Sequence, residues 1–200
     1  MRQPDNVRQV ESLGIDMMGF IFWNGSKRNN DVNPSYLPKE CKRVGVFVNA
    51  ECHYVVEKAK QCGLDFVQLH GGEDREYIEE LRSRFADNSM ECGVIKALSI
   101  SSSSDLKRCD SYEGMCDYLL FDTKCESVGG SGRRFDWHIL NDYTGSFPFL
   151  LSGGISVEHA EEIKNISHPR FVGVDLNSKF EIAPALKDVA LLENFINELK

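Results

Sequence analysis

The sequence predicts an α/β fold on a parallel sheet, and three observations point to it. Short apolar runs recur along the 200 residues, segments of helical period lie between them, and most runs end in polar or glycine-rich residues. The runs carry Val, Ile, Leu and Phe with little alternation, which is the pattern of strands buried on both faces.

In chain order the runs are Met17–Trp23, Val44–Val48, Phe66–Leu69, Gly93–Ala97, Asp117–Phe121, Phe149–Ser152 and Phe171–Asp175. Between them, Val55, Val56, Ala59 and Cys62 share one helical face, as do Val157, Ala160, Ile163 and Ile166. A final helix carries Val189, Leu192, Phe195, Ile196 and Leu199. From Asn29 to Glu40, Pro34 and Pro38 limit any helix to about one turn. Strand-then-helix repetition of this kind is the mark of an α/β fold. A doubly wound sheet would show a glycine-rich dinucleotide turn after its first strand, and none is present. A TIM (β/α)8 barrel fits better, with one discrepancy. The chain opens on a helix, Asp5–Leu13, and offers seven strands, so the expectation is a barrel whose first strand is missing from this chain.

Composition bounds the function. Residues 1–200 are expected to form a single domain with 42% hydrophobic and 27% charged residues. No stretch approaches the roughly 18 apolar residues of a membrane span, so no membrane partner is expected. A net charge of −8 argues against nucleic acid, which needs a basic face. Any anionic ligand must then be held by single arginines and helix N-termini. Seven scattered cysteines without a C-x-x-C pair fit a reducing cytoplasm better than a disulfide framework or a zinc site.

In such a barrel the chemistry sits where strands end at their C-termini. Gly153-Gly154 follows the sixth run and Asn177-Ser178 the seventh, which is the usual place of a phosphate site. Asp122 ends the fifth run, where a carboxylate is costly unless bonded or employed. It reads as a capping group or as a general acid. The Gly129–Gly132 loop, with Gly130 and Gly132, lacks the Lys-Ser/Thr ending of a P-loop and suits a lid. Arg28 reads as a solvated charge or as a bidentate clamp on a carboxylate. His70 has no second histidine at metal spacing, so packing or hydrogen bonding suits it better, and no metal is expected.

Together the segments MGFIFWNGSKR (18–28), VGVFVN (44–49), GLDFVQLHG (63–71), VIKA (94–97), LLFDT (119–123), GGSGRRFDW (129–137), LSGGI (151–155) and GVDLNSKFE (173–181) resemble the phosphoribosylanthranilate isomerases of tryptophan biosynthesis. The resemblance covers nearly the whole chain in the right order. It implies an Amadori rearrangement of N-(5-phosphoribosyl)anthranilate, a small phosphorylated substrate, in the cytoplasm and without metal or cofactor. It places the general acid at Asp122, the anthranilate carboxylate at Arg28, and the phosphate at Gly153-Gly154 and Asn177-Ser178. The loop bearing Gly130 and Gly132 would close over the ligand. A monomer is expected for the full-length form, and self-association through unpaired strand edges for a shortened one.

One departure stands out. The family's base is a cysteine in a Lys-(Val/Ile)-Cys-Gly strand, and this sequence begins at Met1-Arg2-Gln3-Pro4, which resembles the segment after that strand. The chain as written is therefore expected to be impaired. The other readings are a phosphate-binding barrel that does not turn over and a different phosphosugar barrel. For the latter, an epimerase would want more strand-end histidines than His70, and a synthase more than Lys96. Since a general base contributes roughly 10²–10⁴-fold, the chain should turn over at least about 10²-fold more slowly than one carrying an upstream Lys-Val-Cys-Gly strand. Parallel assays of the two forms check this, and equal rates would refute it.

Overall fold

The computed structural model describes residues 1–30, 34–123 and 137–200. Gly130, Gly132 and Cys125 lie outside the described residues, as does the rest of the expected lid. Seven parallel strands pair in sequence order: β1 (Met17–Ile21), β2 (Lys42–Phe47), β3 (Phe66–Leu69), β4 (Gly93–Ile100), β5 (Tyr118–Thr123), β6 (Phe149–Ser152) and β7 (Phe171–Val174). They form the curled sheet of a TIM-type α/β fold. Among the described residues no pairing closes β7 onto β1.

Helix α1 (Pro4–Glu11) opens the chain, with Pro4 at the start where its missing N–H costs nothing. Helix α2 (Cys52–Cys62) stops at Gly63, whose φ of 55° is the left-handed cap that releases the chain into β3. Helix α3 (Arg75–Asp87) is not among the expected helices, although Asp74 caps it by accepting from Tyr77 N at 2.9 Å. Its Ile78, Leu81 and Phe85 are buried at helical spacing. Helices α4 (Ala160–Lys164) and α5 (Val189–Leu199) complete the outer layer, with 3₁₀ turns at Ser103–Tyr112, Trp137–Asp142, Val157–His159 and Ser178–Phe180. Between the last of these and α5 lies an antiparallel hairpin, β8 (Glu181–Ala183) and β9 (Leu186–Lys187).

Strand bounds differ from the expected ones in two informative places. Strand β4 runs three residues further, to Ile100, because Leu98 and Ile100 remain buried beyond Ala97. Strand β5 is displaced to end at Thr123, so Asp122 is paired in register with Ser99 of β4 and Ser152 of β6.

Two apolar clusters follow from the two-residue period of a strand. Val67, Leu69, Val94, Leu119, Phe121, Phe149 and Leu151 join the larger one, against the helices. Val44, Ile95, Ala97 and Leu120 form the smaller one, on the concave face. Continuing that concave parity to the strand ends places Gln68, His70, Asp122 and Ser152 on the inner rim. Lys96 has the opposite parity and enters the layer between sheet and helices.

There the Lys96 ammonium and the Glu73 carboxylate meet at 2.8 Å, each side chain 1% exposed. Lys96 also donates to Gly71 O at 2.7 Å, while Glu73 accepts from Asn49 N at 2.7 Å and Gly71 N at 2.8 Å. Burial alone would push the Glu73 carboxyl up, but Lys96 and these amides bring it below its ordinary 4.5. Its contribution to stability is therefore complete above pH 4.5 and is lost as pH falls through the lower folded value. Lys96→Met, which strands a buried carboxylate, should cost roughly 3–5 kcal/mol at neutral pH. Urea unfolding should show a smaller loss at acid pH, and an undiminished loss there would count against the pair.

Candidate active site

The inner rim opens into a cavity of about 900 Å³, bordered by Asp122, Gly153, Gly154, Arg28, Asn177 and Ser178. Six of the expected site residues therefore meet in one place, drawn from the ends of β1, β5, β6 and β7. The cavity continues down the concave face past Ile95 and Leu120 to Met17 and Tyr118 at the opposite strand ends, so the rim site is its upper part.

Asp122 is half-buried, and His70 Nε2 lies 3.4 Å from its Oδ2. The imidazole is itself held from behind, Gln68 Nε2 donating to His70 Nδ1 at 3.0 Å. With the amide so placed, Nδ1 is the acceptor and Nε2 carries the hydrogen toward Asp122. One carboxylate oxygen of Asp122 is thus engaged, and the residue borders the cavity. The hydrogen-bonding role expected of His70 fits this arrangement.

Gly153 follows β6 with φ of +100°, and a Cβ there would lie 1.9 Å from Thr123 O. Gly154 is also left-handed, at φ 69°. No side chain fits at Gly153, since the turn passes directly over the residue after Asp122. Thr123 fastens the same spot by donating its Oγ1 hydrogen to Ser152 O at 2.8 Å. The turn then leads into the 3₁₀ segment Val157–His159 and α4.

Arg28 is held by Glu181. Its Nε donates to Oε1 and Oε2 at 2.9 and 2.8 Å, and Nη2 to Oε2 at 2.6 Å. The Glu181 hydrogen bonds hold the guanidinium firmly charged. Burial would raise the Glu181 carboxyl, but Arg28 and Lys187 bring it below the usual range. Lys187 is mostly buried, and burial lowers its pKa against the pull of Glu181 and Asp175. Asp175, on the cavity wall after β7, is pushed up by burial, opposed by Lys187 and His70. Ser152 Oγ donates to it at 3.4 Å.

Glu181, Lys187 and Asp175 carry no assignment from sequence reasoning. Asp175 had a usable signal, its position at the end of a run, whereas the hairpin residues had none of the apolar pattern that marks a strand.

The family model of N-(5'phosphoribosyl)anthranilate (PRA) isomerase matches residues 1–198. The chain is 47% identical over 200 residues to N-(5'-phosphoribosyl)anthranilate isomerase of Phocaeicola vulgatus, covering 100% of this chain and 95% of that one. It is 48% identical over 205 residues to the protein of the same name from Parabacteroides distasonis, covering 100% and 90%. Among solved structures, phosphoribosyl anthranilate isomerase from Thermotoga maritima superposes with a TM-score of 0.83 at 31% identity, covering 100% of this chain and 95% of that one. Another phosphoribosyl anthranilate isomerase, in complex with reduced 1-(o-carboxyphenylamino)-1-deoxyribulose 5-phosphate, gives 0.81 at 29% identity, covering 100% and 94%. With its strand order, its rim and these likenesses in agreement, the chain belongs to the N-(5'-phosphoribosyl)anthranilate isomerase family.

Proposed function

We propose that the cavity converts N-(5-phosphoribosyl)anthranilate to 1-(2-carboxyphenylamino)-1-deoxyribulose 5-phosphate, a step of tryptophan biosynthesis, with Asp122 as the general acid. The observation that carries this reading is the single cavity that Asp122 shares with Arg28 and with both turns, Gly153-Gly154 and Asn177-Ser178. One end of the substrate is a phosphate and the other an aryl carboxylate. The turns suit the first through main-chain N–H groups, and Arg28 suits the second.

Asp122 gives its proton to the furanose ring oxygen as the C1–O bond breaks and the nitrogen lone pair forms the C1=N bond. A base then removes the C2 proton, and the C2–H electrons become the C1=C2 bond of an enolamine. The C1=C2 pair then takes a proton at C1 while the C2 hydroxyl gives up its own, which leaves the ketone at C2. Family resemblance gives the base to a cysteine, but the described cysteines (41, 52, 62, 92, 109 and 116) do not border the cavity. Burial pushes Cys92, Cys109 and Cys116 up to about 12, which keeps them as inert thiols. The loop bearing Gly130 and Gly132 serves as the lid in this reading. The free thiols of the described cysteines support a cytoplasmic setting.

A second reading is a barrel that binds the phosphorylated ligand without turning it over, since none of the described cysteines borders the cavity. Asp122→Asn is isosteric and cannot donate that proton, so it should lower kcat by roughly 10²–10⁴-fold, about 3–5 kcal/mol of barrier. Loss of anthranilate-type fluorescence from freshly prepared substrate measures the rate, in the chain extended upstream with the cysteine strand. Turnover unchanged by Asp122→Asn would remove Asp122 from the mechanism, and ligand binding without turnover in the unmutated extended chain would favour the second reading.

Gly153→Ala should open the turn, because its methyl meets Thr123 O in a left-handed conformation. About 1–3 kcal/mol of stability should be lost, together with most of the affinity for inorganic phosphate. Thermal unfolding and phosphate titration report both, and an unweakened phosphate affinity would clear the turn of that role.

A further inference from the structure

The β8–β9 hairpin lies between the two ends of the cavity and touches both. Its two charged residues, Glu181 and Lys187, are register partners across the hairpin, 3.6 Å apart between Oε1 and Nζ. The Glu181 side chain is 4% exposed and that of Lys187 is 11% exposed. Glu181 fixes the Arg28 fork through three contacts, as above. Lys187 Nζ donates to Leu176 O at 3.0 Å, Asn177 O at 3.0 Å and Asn177 Oδ1 at 3.1 Å.

The Lys187 contacts have a directional consequence. A trans peptide carries its C=O and N–H on opposite sides. Drawing the carbonyls of Leu176 and Asn177 onto Lys187 therefore turns the N–H groups of Asn177 and Ser178 away from the lysine, as an outward pair of donors. Behind them the ammonium adds positive charge to a turn of a chain that is net negative. The hairpin is in turn anchored to the first helix. Asn6, buried in α1, donates through Nδ2 to Lys187 O at 2.9 Å and accepts from Lys187 N at 2.8 Å.

We infer that the β8–β9 hairpin is a positioning bracket, with Glu181 aiming Arg28 at the aryl carboxylate and Lys187 aiming the Asn177 and Ser178 amides at the phosphate. The inference rests on the functional reading above. It adds two residues that touch no reacting atom, each acting through a different substrate-binding group, and it divides the labour between them by ligand end. The pair Glu181–Lys187 also ties the two ends together, so the spacing of carboxylate site and phosphate site is set by one short hairpin.

The test uses three probes on the full chain: reduced 1-(o-carboxyphenylamino)-1-deoxyribulose 5-phosphate, its dephosphorylated counterpart, and inorganic phosphate. Lys187→Met should weaken the first and third by at least roughly tenfold and leave the second nearly unchanged. Glu181→Gln should weaken the first and second to a similar degree, roughly tenfold, and spare the third. Lys187→Gln, which can still donate to the turn carbonyls, should recover part of the phosphate affinity. Thermal unfolding of each variant separates misfolding from misaiming, since a purely structural role would weaken all three probes alike. Equal losses on all probes, or no loss on any, would overturn the bracket. Arg28→Gln tests the underlying reading by itself. If it leaves the dephosphorylated ligand bound as before, the carboxylate assignment falls and the Glu181 half of the bracket with it. If it releases that ligand while Glu181→Gln does not, only the Glu181 half falls.

Discussion

Hydrogen bonds between parallel strands are evenly spaced and slanted, and they oblige all seven strands to run in the same direction. Every strand's C-terminal end therefore emerges on one rim, and residues far apart in sequence meet there. Asp122 stands beside Ser152 because β5 and β6 pair in register, and not through any attraction between the two side chains. The two-residue period adds the second half of the constraint, deciding which rim residues face inward. His70, Asp122 and Ser152 share the concave parity, so the contact of imidazole with carboxylate follows from strand geometry. The cavity is thus a product of the sheet, and the loops fill in its chemistry.

An acidic chain whose ligand carries an anionic group at each end has an electrostatic difficulty, and the proposed site meets it locally. Arg28 and Lys187 are two cations that border the cavity, Arg28 restrained by Glu181 and Lys187 by Glu181 and main-chain oxygens. A restrained cation loses less side-chain entropy on binding than a free one. Glu181 weakens the field its partners project, and in exchange fixes their direction. In the proposed site the remaining donors are main-chain N–H groups, at turns whose geometry depends on Gly153 and Gly154.

The strands were legible because burial on both faces leaves apolar runs, and six of the seven expected runs overlap their strands to within two residues at each end, β4 alone running three residues longer. Asp122, Gly153-Gly154 and Asn177-Ser178 were legible for the same reason, since they interrupt or follow those runs. Lys96 was harder. Its position near the end of the fourth apolar run is evident from sequence, but β4 continues to Ile100, and which parity faces inward is decided by the curl of the sheet. The hairpin was invisible in sequence, because Glu181 and Lys187 lie in very short strands whose pairing serves polar contacts. The hydrogen bond between His70 and Asp122 spans 52 positions and depends on two registers at once. Helix α3 did carry a readable pattern in Ile78, Leu81 and Phe85 behind the Asp74 cap.

The buried pair of Lys96 and Glu73 bears on how such a chain can change over generations. A point mutation alters one residue at a time, and either single change passes through a molecule with a lone charge sealed under the sheet. The exposed pairs on α3, Arg75 with Glu79 and Arg84 with Glu80, face water and can drift independently. Lys96 and Glu73 are in this sense one heritable character written at two positions 23 residues apart, replaceable together or hardly at all.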